Sequence, residues 1–351
     1  MPMRGNANAI VTNVMLAALL WVTGCGIDKE KGILMAAGSY GDLAVVVNDE
    51  AMRPLANRFL AEFNTEKVFV IKPETVFRPD IFGPDRWEIA KGYKNALFLI
   101  HIGSGSAEKE TRKLMSADAW ERISAGGGGV VQVKDPWSTY QHLVVVASRD
   151  RNSLGSILAR NREKIREIFD ETNRDRILRR NRHDGLRLDL MDRYWQEFGF
   201  FLEIPGEYKQ NQDRPDGFPG LELMRTGPSR GITISWQDSA DPVRDLANFA
   251  LLTRMREEMG ARMHDEEIVA ETLDWDEAVI GGVPGVKLEG AWNSTRFVGG
   301  GPFWCYFIPD EKHGRIWCID LLAYAPGMDK MDFFRRLDAV ASTFSTRRPQ
   351  S

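Results

Sequence analysis

The sequence lacks a strong excess of charge of either sign. Its 46 lysines and arginines stand against 50 aspartates and glutamates, which leaves a formal net charge of −4 over 351 residues. A protein with so mild a negative charge has no overall attraction for the phosphates of a nucleic acid or for anionic lipid headgroups. We therefore expect no nucleic-acid partner.

The sequence also lacks the short motifs of familiar catalytic and metal sites. It contains no GxxxxGKS/T phosphate-binding loop, no HExxH zinc motif and no GxSxG nucleophile elbow. No cysteine–histidine cluster has zinc-binding spacing. The five histidines stand singly, and each is interpreted as a surface or structural residue: His101, His142, His183, His264 and His313. The sequence therefore predicts no cofactor and no metal ion.

The apolar run near the N-terminus, residues 14–22, is too short to cross a bilayer core, which needs about 20 apolar residues. It follows a short segment with Arg4 and has the length of the apolar region of a signal peptide. The run ends in Val22-Thr23-Gly24-Cys25, which resembles a lipobox, in which the cysteine sulfur accepts diacylglycerol. We interpret residues 1–24 as a lipoprotein signal peptide and Cys25 as the lipidated residue. An ordinary signal peptide or a buried N-terminal helix is the alternative.

The residues that follow Cys25 predict where the protein is held. Residues 25–39 include the charged stretch Asp28-Lys29-Glu30-Lys31 and are interpreted as a flexible tether. Gly26 stands where an aspartate would favour retention in the inner membrane, so this position favours the outer membrane. Several acyl chains on one residue give stable anchoring. We expect a lipid-anchored protein of the cell envelope, in the periplasm or at the outer-membrane surface.

The remaining chain has the composition of a folded protein. Apolar residues make up 43% of the sequence, which is enough for real hydrophobic cores. The length suits one large or two ordinary domains. Strands flanked by helices recur in both halves, and this pattern predicts an α+β fold of two packed α/β sandwich-like halves, at residues 40–190 and 191–351.

In the first half, continuous apolar runs predict buried strands. The long helix in this half is crowded with charges, which indicates a solvated face with i,i+4 ion pairs; a surface for an acidic partner is the alternative. The predicted strands are 43–47, 68–71, 96–102, 130–133 and 143–147, the helices are about 50–63, 117–124 and 153–182, and 72–92 is predicted to be irregular.

In the second half, alternating patterns predict strands and a hairpin, and helical spacing of apolar residues predicts two helices. The last helix is expected to place Phe333 in the core. The predicted strands are 200–208, 231–236, 278–280 and 286–292, the hairpin is 303–325, and the helices are 242–259 and 330–344.

Few residues suggest chemistry. Four aspartates fall in or near predicted loops, and no spacing makes two of them face each other, so no acid/base pair is predicted: Asp238, Asp241, Asp274 and Asp276. The first two form, with His264 and Glu267, the one cluster that would serve an enzyme. The nine tryptophans after residue 24 are interpreted as core residues, although exposed ones could stack on sugar rings.

The stretch Gly103-Ser104-Gly105-Ser106 follows a predicted buried strand. Its backbone amides could cradle an anion if a helix began there. A plain turn is favoured, because no basic residue lies at a useful spacing within it.

Cys305 and Cys318 lie on the two strands of the predicted hairpin. A turn centred on Glu311 and Lys312 places them opposite each other, with Cα atoms about 4.5–5.5 Å apart and within disulfide range. The compartment outside the inner membrane is oxidising, so a disulfide is a candidate. A slip of one residue in register would leave two buried free thiols instead. Trp304 and Trp317 are expected together on the other face.

The sequence resembles a family of uncharacterised bacterial lipoproteins known as domain of unknown function number 4837. The residues that carry the resemblance are 42–49, 142–147, Val286 to Trp292, Gly300-Gly301-Pro302-Phe303, Tyr324-Ala325-Pro326-Gly327 and Arg335 to Asp338. The resemblance implies localisation in the envelope and no established activity, so there are no functional residues to carry over. The two hairpin cysteines are not part of the family pattern.

The second half is also similar to the Mog1/PsbP-type α/β/α sandwich, whose members are often binding or assembly modules. Together these observations predict a membrane-anchored envelope protein, most simply a non-catalytic binding or assembly module with an envelope protein as partner. An envelope hydrolase with an unrecognised active site is the alternative. A binder of a small apolar ligand would require an enclosed pocket between sheet and helices.

Overall fold

A computed structural model describes residues 27–28, 33–64, 73–211 and 217–347. The described residues form two large β-sheets, each with helices packed on it, and one two-stranded sheet, so the predicted α+β class with two packed sheet-containing halves is confirmed. The predicted signal peptide, Cys25 and the predicted strand 68–71 lie outside the described residues. Within the described ranges, no helix is long and apolar enough to span a membrane.

The first sheet is mainly parallel and is buried on both faces. Val45 and Leu97 belong to one hydrophobic core, while Val46 and Phe98 belong to another on the opposite face. This double burial explains the continuous apolar runs of the sequence. Its strands are β3 (Asp42–Val47), β4 (Arg78–Phe82), β5 (Asn95–His101), β6 (Gly129–Lys134) and β7 (His142–Ser148), in the order β4-β3-β5-β7-β6, with β6 antiparallel at the edge.

Helices cover both faces of the first sheet. The helix predicted at 153–182 is in fact two helices, separated at Asn161, whose side-chain amide donates to the carbonyl of Ile157 (2.7 Å). One core includes residues of α1 (Arg53–Phe63), α4 (Arg151–Arg160) and α5 (Arg162–Asp184), and the other includes residues of α2 (Gly105–Lys113) and α3 (Ala117–Ala125).

The chain before β3 runs past the end of this sheet at which the parallel strands begin. A short hairpin, β1 (Ile27–Asp28) with β2 (Ile33–Leu34), precedes it. The amide of Ala36 then donates to Thr139 (2.9 Å), and that of Ala37 donates to Gly92 (2.7 Å). Part of the segment predicted as a flexible tether is therefore bonded to the first half.

The second sheet is antiparallel and has seven strands within the described residues. Its order is β11-β12-β13-β14-β10-β9-β8. The strands are β8 (Lys209–Gln210), β9 (Gly220–Arg225), β10 (Ser229–Asp238), β11 (Glu266–Ile280), β12 (Val283–Ser294), β13 (Gly300–Asp310) and β14 (Arg315–Tyr324). Helices α6 (Leu188–Phe198) and α9 (Met331–Ala341) pack on one face, and α7 (Pro242–Asp245) and α8 (Phe249–His264) lie on the other side.

Several predictions about the second half are corrected. The strand predicted at 278–280 begins already at Glu266. The prediction was too short because β11 is an outer strand rich in acidic residues, so its apolar alternation is weak. The helix predicted at 242–259 is divided, and Asn248 caps the second part by accepting the amide of Leu251. Phe333 is only partly buried, whereas Phe334 next to it is completely buried.

The two halves share one hydrophobic core, to which α5 contributes Phe169 and α9 contributes Phe334. The first half also caps α9, since the carboxylate of Glu74 accepts the amides of Lys330 (2.7 Å) and Met331 (2.9 Å). The predicted limit between domains at 190/191 falls inside α6, and α5 ends just before Gly185. The division into domains stays a prediction.

A buried ionic triad lies between α8 and the second sheet. Arg256 contacts the carboxylates of Glu266 (2.9 Å) and Asp320 (3.2 Å), and its guanidinium stands 4.3 Å from the ring centre of Phe303. The side chains of Arg256 and Asp320 are completely buried. A buried charge of this kind is tolerated only while its partners compensate it.

Replacing Arg256 by methionine should destabilise the fold by about 3–5 kcal/mol at pH 8, because two buried carboxylates lose their counter-charge. Burial raises the pKa of Glu266 to about 7 and that of Asp320 to about 6. Since acid protonates both groups, the loss should shrink towards pH 5. Urea unfolding at pH 8 and pH 5 measures both effects. Arg254→Met, on the exposed side of α8, is the control, and an equal loss in both variants would contradict the account.

Candidate functional site

The cluster that the sequence offered for an enzyme is not assembled. Asp238 lies at the end of β10, opposite Arg315, and Asp241 caps α7 by accepting the amide of Arg244 (3.1 Å). Glu267 is exposed on β11. His264 instead contacts the Thr233 hydroxyl at 2.8 Å. These four side chains serve separate local roles and do not converge on one point.

His142, His264 and His313 occupy structural positions, where hydrogen bonds hold their rings. Burial lowers the pKa of both His142 and His264 to about 4, so both rings are neutral at pH 7. His142 contacts Thr172 (3.1 Å), and His313 contacts Asp310 (2.8 Å). Among the described residues, no group of three histidine, cysteine or acidic side chains is placed to hold a metal ion.

The glycine-rich loop after β5 does lead into a helix, as an anion site would require. Its amides are already occupied, however. The carboxylate of Glu108, in the first turn of α2, accepts the amides of both Gly103 (2.7 Å) and Ser104 (2.8 Å). The loop therefore binds a side chain of its own helix, which agrees with a structural turn.

The cysteine register is corrected by two residues. Cys305 pairs with Asp320 across the hairpin, and Cys318 pairs with Phe307, because the turn is longer than predicted. The two sulfurs lie diagonally on one face, 3.2 Å apart, and both thiols are free and buried. A disulfide would need about 2.05 Å between the sulfurs, so it stays a prediction. Trp304 and Trp317 do share the opposite face, in the core between the halves.

A cleft of about 530 Å³ lies between the two halves. This volume is within the range of about 300–1,000 Å³ that is usual for small-molecule sites. Its lining comes from α5, α9 and strands β11 to β13, and it includes Arg166, Asp170, Arg174, Asp274, Trp275, Asp276, Lys287, Glu289, Trp304, Tyr306, Arg335 and Asp338. No single half contains the site, since its walls come from both.

Ion pairs and hydrogen bonds fix the polar side chains of the cleft. Asp338 accepts the hydroxyl of Tyr306 (2.6 Å) and a guanidinium N–H of Arg174 (3.2 Å). Lys287 pairs with Glu289 and stands 3.6 Å from the ring centre of Trp304. Side chains that are held in this way need little reordering when a ligand binds.

Arg335 joins the halves at the floor of the cleft. It donates to the carbonyl of Val76 and to Asp332 (3.2 Å), and it lies 4.9 Å from the ring centre of Phe77. Its Nε stands 3.9 Å from an oxygen of Asp170. The arginine is therefore held by first-half contacts on three sides while it belongs to α9.

Asp170 is a carboxyl of the cleft whose pKa is shifted towards neutral pH. Burial and the nearby negative charge of Asp338 raise the pKa of Asp170 to about 6, although Arg335 opposes the shift. Its side chain is 39% exposed, and this surface opens into the cleft. The carboxyl can thus exchange protons with water near neutral pH while protein surrounds it.

Asp274 and Asp276 were expected in loops but lie on β11 at the cleft. Both are exposed, and each carboxylate accepts the amide of the next residue, at 2.9 and 2.8 Å. No basic side chain among the described residues forms an ion pair with either. Trp275 between them stacks on Phe249, with ring centres 4.6 Å apart.

The sequence interpretation missed this site. Arg166, Asp170 and Arg174 follow one another at four-residue spacing, and this stripe of α5 faces the cleft. The charge run of the helix was interpreted as a solvated face with i,i+4 ion pairs. The exposed pair of Arg180 with Asp184 has this spacing, whereas the stripe of Arg166, Asp170 and Arg174 also lines the cleft. The i,i+4 spacing alone does not distinguish the two faces.

Residues 188–343 match the family model described as "Domain of unknown function (DUF4837)". The resemblance predicted from the sequence is confirmed over this part of the chain. The match contains the carriers from Val286 onwards and leaves out those at 42–49 and 142–147. None of the curated proteins compared matches the chain by sequence.

Three solved structures are similar to 42% of this chain each. They are a protein from Bacteroides thetaiotaomicron VPI-5482 (10% identity, TM-score 0.28), the cyanobacterial PsbP (CyanoP) from Synechocystis sp. PCC 6803 (14%, 0.30, 86% of that chain covered), and LpqN, involved in cell envelope biogenesis of Mycobacterium tuberculosis (14%, 0.27, 82% covered). The chain spans 45% of the length of the Bacteroides protein.

Asp170→Asn should change how stability depends on pH. The folded-state pKa of about 6 lies above the unfolded value of about 3.9, so the stabilisation from protonated Asp170 is present below pH 4 and is lost as the pH rises through 6. The asparagine variant lacks this loss. Urea unfolding from pH 4 to pH 7.5 should show the variant gaining on the wild type as pH rises, and two parallel curves would contradict the assignment.

Proposed function

We propose that the protein is a lipid-anchored module of the bacterial cell envelope that binds a positively charged ligand in the cleft between its halves. The observation that carries the ligand class is the pair of exposed carboxylates, Asp274 and Asp276, at a cleft whose cations are paired. Arg174 is compensated by Asp338 and Lys287 by Glu289. Asp274 and Asp276 on β11 form no ion pair among the described residues, so their carboxylates are available to a ligand.

The charge count of the cleft supports the same ligand class. Its lining contains four basic residues, Arg166, Arg174, Lys287 and Arg335, against five acidic ones. Above pH 6, where Asp170 is ionised, the lining carries an excess of one negative charge. An amine of a basic peptide or of an amino sugar has the chemistry to bind there, and the ring of Tyr306, which lines the cleft, offers apolar contact.

Binding of trilysine, used as a probe, tests this class of ligand. Asp274→Asn combined with Asp276→Asn should weaken the affinity severalfold and at most about 30-fold, since each exposed charge pair contributes up to about 1 kcal/mol. Calorimetric titration at pH 7.5 measures the dissociation constant. Asp118→Asn with Glu121→Gln, on exposed α3 far from the cleft, is the matched control. Unchanged affinity in the cleft variant, or equal binding of triglutamate, would contradict the proposal.

The lipid anchor rests on the sequence at Cys25. Cys25→Ser should abolish acylation and leave the signal peptide uncut, because the thiol is the acceptor of the lipid. Detergent partitioning and mass analysis of the membrane fraction measure both effects. A normally processed, membrane-bound Cys25→Ser protein would refute the anchor and leave the cleft proposal untouched.

A second candidate function, an envelope hydrolase, is favoured by one observation. Asp170 has a pKa raised to about 6 beside a second carboxylate, Asp338, and a carboxyl of this kind can act as a general acid. The variant Asp170→Asn distinguishes the two candidate functions. Retained trilysine binding with loss of a hydrolytic activity of the wild type would support the enzyme, and the absence of turnover in the wild type would support the binding module.

A further inference from the structure

The parallel strands of the first sheet begin at one edge of the molecule. Asp42, Arg78, Asn95 and His142 are the first residues of their strands there. The N-terminal segment crosses this edge, since the carbonyl of Leu34 accepts the amide of Thr139 (3.0 Å). The chain therefore leads from its predicted anchor to this edge.

The distance from the anchor to this edge is short. Cys25 precedes Leu34 by nine residues, which span at most about 30 Å when fully extended. Ile27 pairs with Leu34 in the β1–β2 hairpin, and Cys25 is only two residues, at most about 7 Å, from Ile27. Acyl chains on Cys25 would hold this edge near the membrane surface.

An apolar groove of about 370 Å³ adjoins the same edge. Glu74 of the first half lines it together with Val298 and Met328 of the second half. The contacts of α9 connect the groove to the strand edge, because Asp332 pairs with Arg78 (3.2 Å), which pairs with Asp42 at the start of β3 (3.0 Å). The groove and the N-terminal segment thus belong to one end of the molecule.

The loop between β12 and β13 projects apolar side chains beside this groove. In this loop, Val298 is fully exposed and Phe297 is 53% exposed. Met328, which lies between β14 and α9, is 49% exposed. The ring of Phe297 packs edge-on against Tyr324, with centres 6.0 Å apart, so the loop is held while its tip stays uncovered by described residues. A contiguous group of exposed apolar side chains often marks a surface that contacts a protein or a membrane.

The side chains around the tip match the boundary between lipid headgroups and acyl chains. Arg296, which is exposed and pairs with Asp265 (3.0 Å), precedes the apolar pair, and Lys330 lies two residues after Met328, beyond Asp329. Cationic side chains beside apolar ones suit the interface, where charged groups stay with headgroups and apolar groups enter the acyl region. Tyr324 beneath the tip has the apolar body and polar end that such positions favour.

We infer that this end of the protein lies on the bilayer, with Phe297, Val298 and Met328 inserted at the interface. The inference rests on the proposed anchor at Cys25 and adds a fixed orientation to it. A single anchor would let the molecule rotate, whereas a second contact site holds the cleft in one direction relative to the membrane.

The test uses full-length acylated protein in vesicles of phosphatidylethanolamine and phosphatidylglycerol. An environment-sensitive fluorophore is attached at Val298→Cys or, as the matched control, at Val279→Cys. Val279 is an exposed valine (67%) beside the β11–β12 turn, at the opposite end of the second sheet. Cys305 and Cys318 are buried and do not compete for the label. Brominated lipids should quench the probe at 298 at least twofold and leave the probe at 279 unchanged.

The outcomes separate the inference from the anchor. Flotation of the wild type with the vesicles, compared with Cys25→Ser, reports the anchor alone. Floating protein with equal fluorescence at both positions would overturn the orientation and leave the anchor intact. A probe at 298 that is shielded from aqueous iodide but not quenched by brominated lipid would indicate contact with a second copy of the chain and would also overturn it. Failure of the wild type to float would remove the premise of the inference.

Discussion

The attachment of α9 to the first half is the contact on which the other features of the structure depend. Glu74 accepts the two amides at the start of the helix, and Arg335 one turn later donates to the carbonyl of Val76. Between them, Asp332 pairs with Arg78. These bonds join a helix of the second sheet to a loop and strand of the first, and Phe334 between them lies in the core that both halves share.

The cleft follows from this attachment. When α9 packs against α5, the polar stripes of both helices lie opposite strands β11 to β13 across the cleft. Asp338 then meets both Arg174 and Tyr306, and Asp170 meets Arg335. Arg174 and Asp170 are thus compensated by partners on α9, so the charges of α5 in the cleft depend on the junction.

Local patterns predicted much of the fold and little of the site. The buried strands β3, β5 and β7 and the hairpin of β13 and β14 follow from apolar periodicity, which is a property of neighbouring residues. β4 was missed because Pro79 and its edge position weaken its pattern, and β11 because its acidic side chains alternate with half-buried ones. The cleft joins Asp170 with Asp338 across 168 positions, and no local spacing contains that information.

The central claim, that the cleft holds a ligand, is tested most directly by native mass spectrometry of the protein released gently from its own membranes. The account predicts a small positively charged molecule bound to the wild type at one-to-one stoichiometry and absent when Asp274 and Asp276 are both asparagine. Its mass would identify the ligand. Identical masses for the wild type and the variant, each equal to the acylated chain alone, would contradict the account.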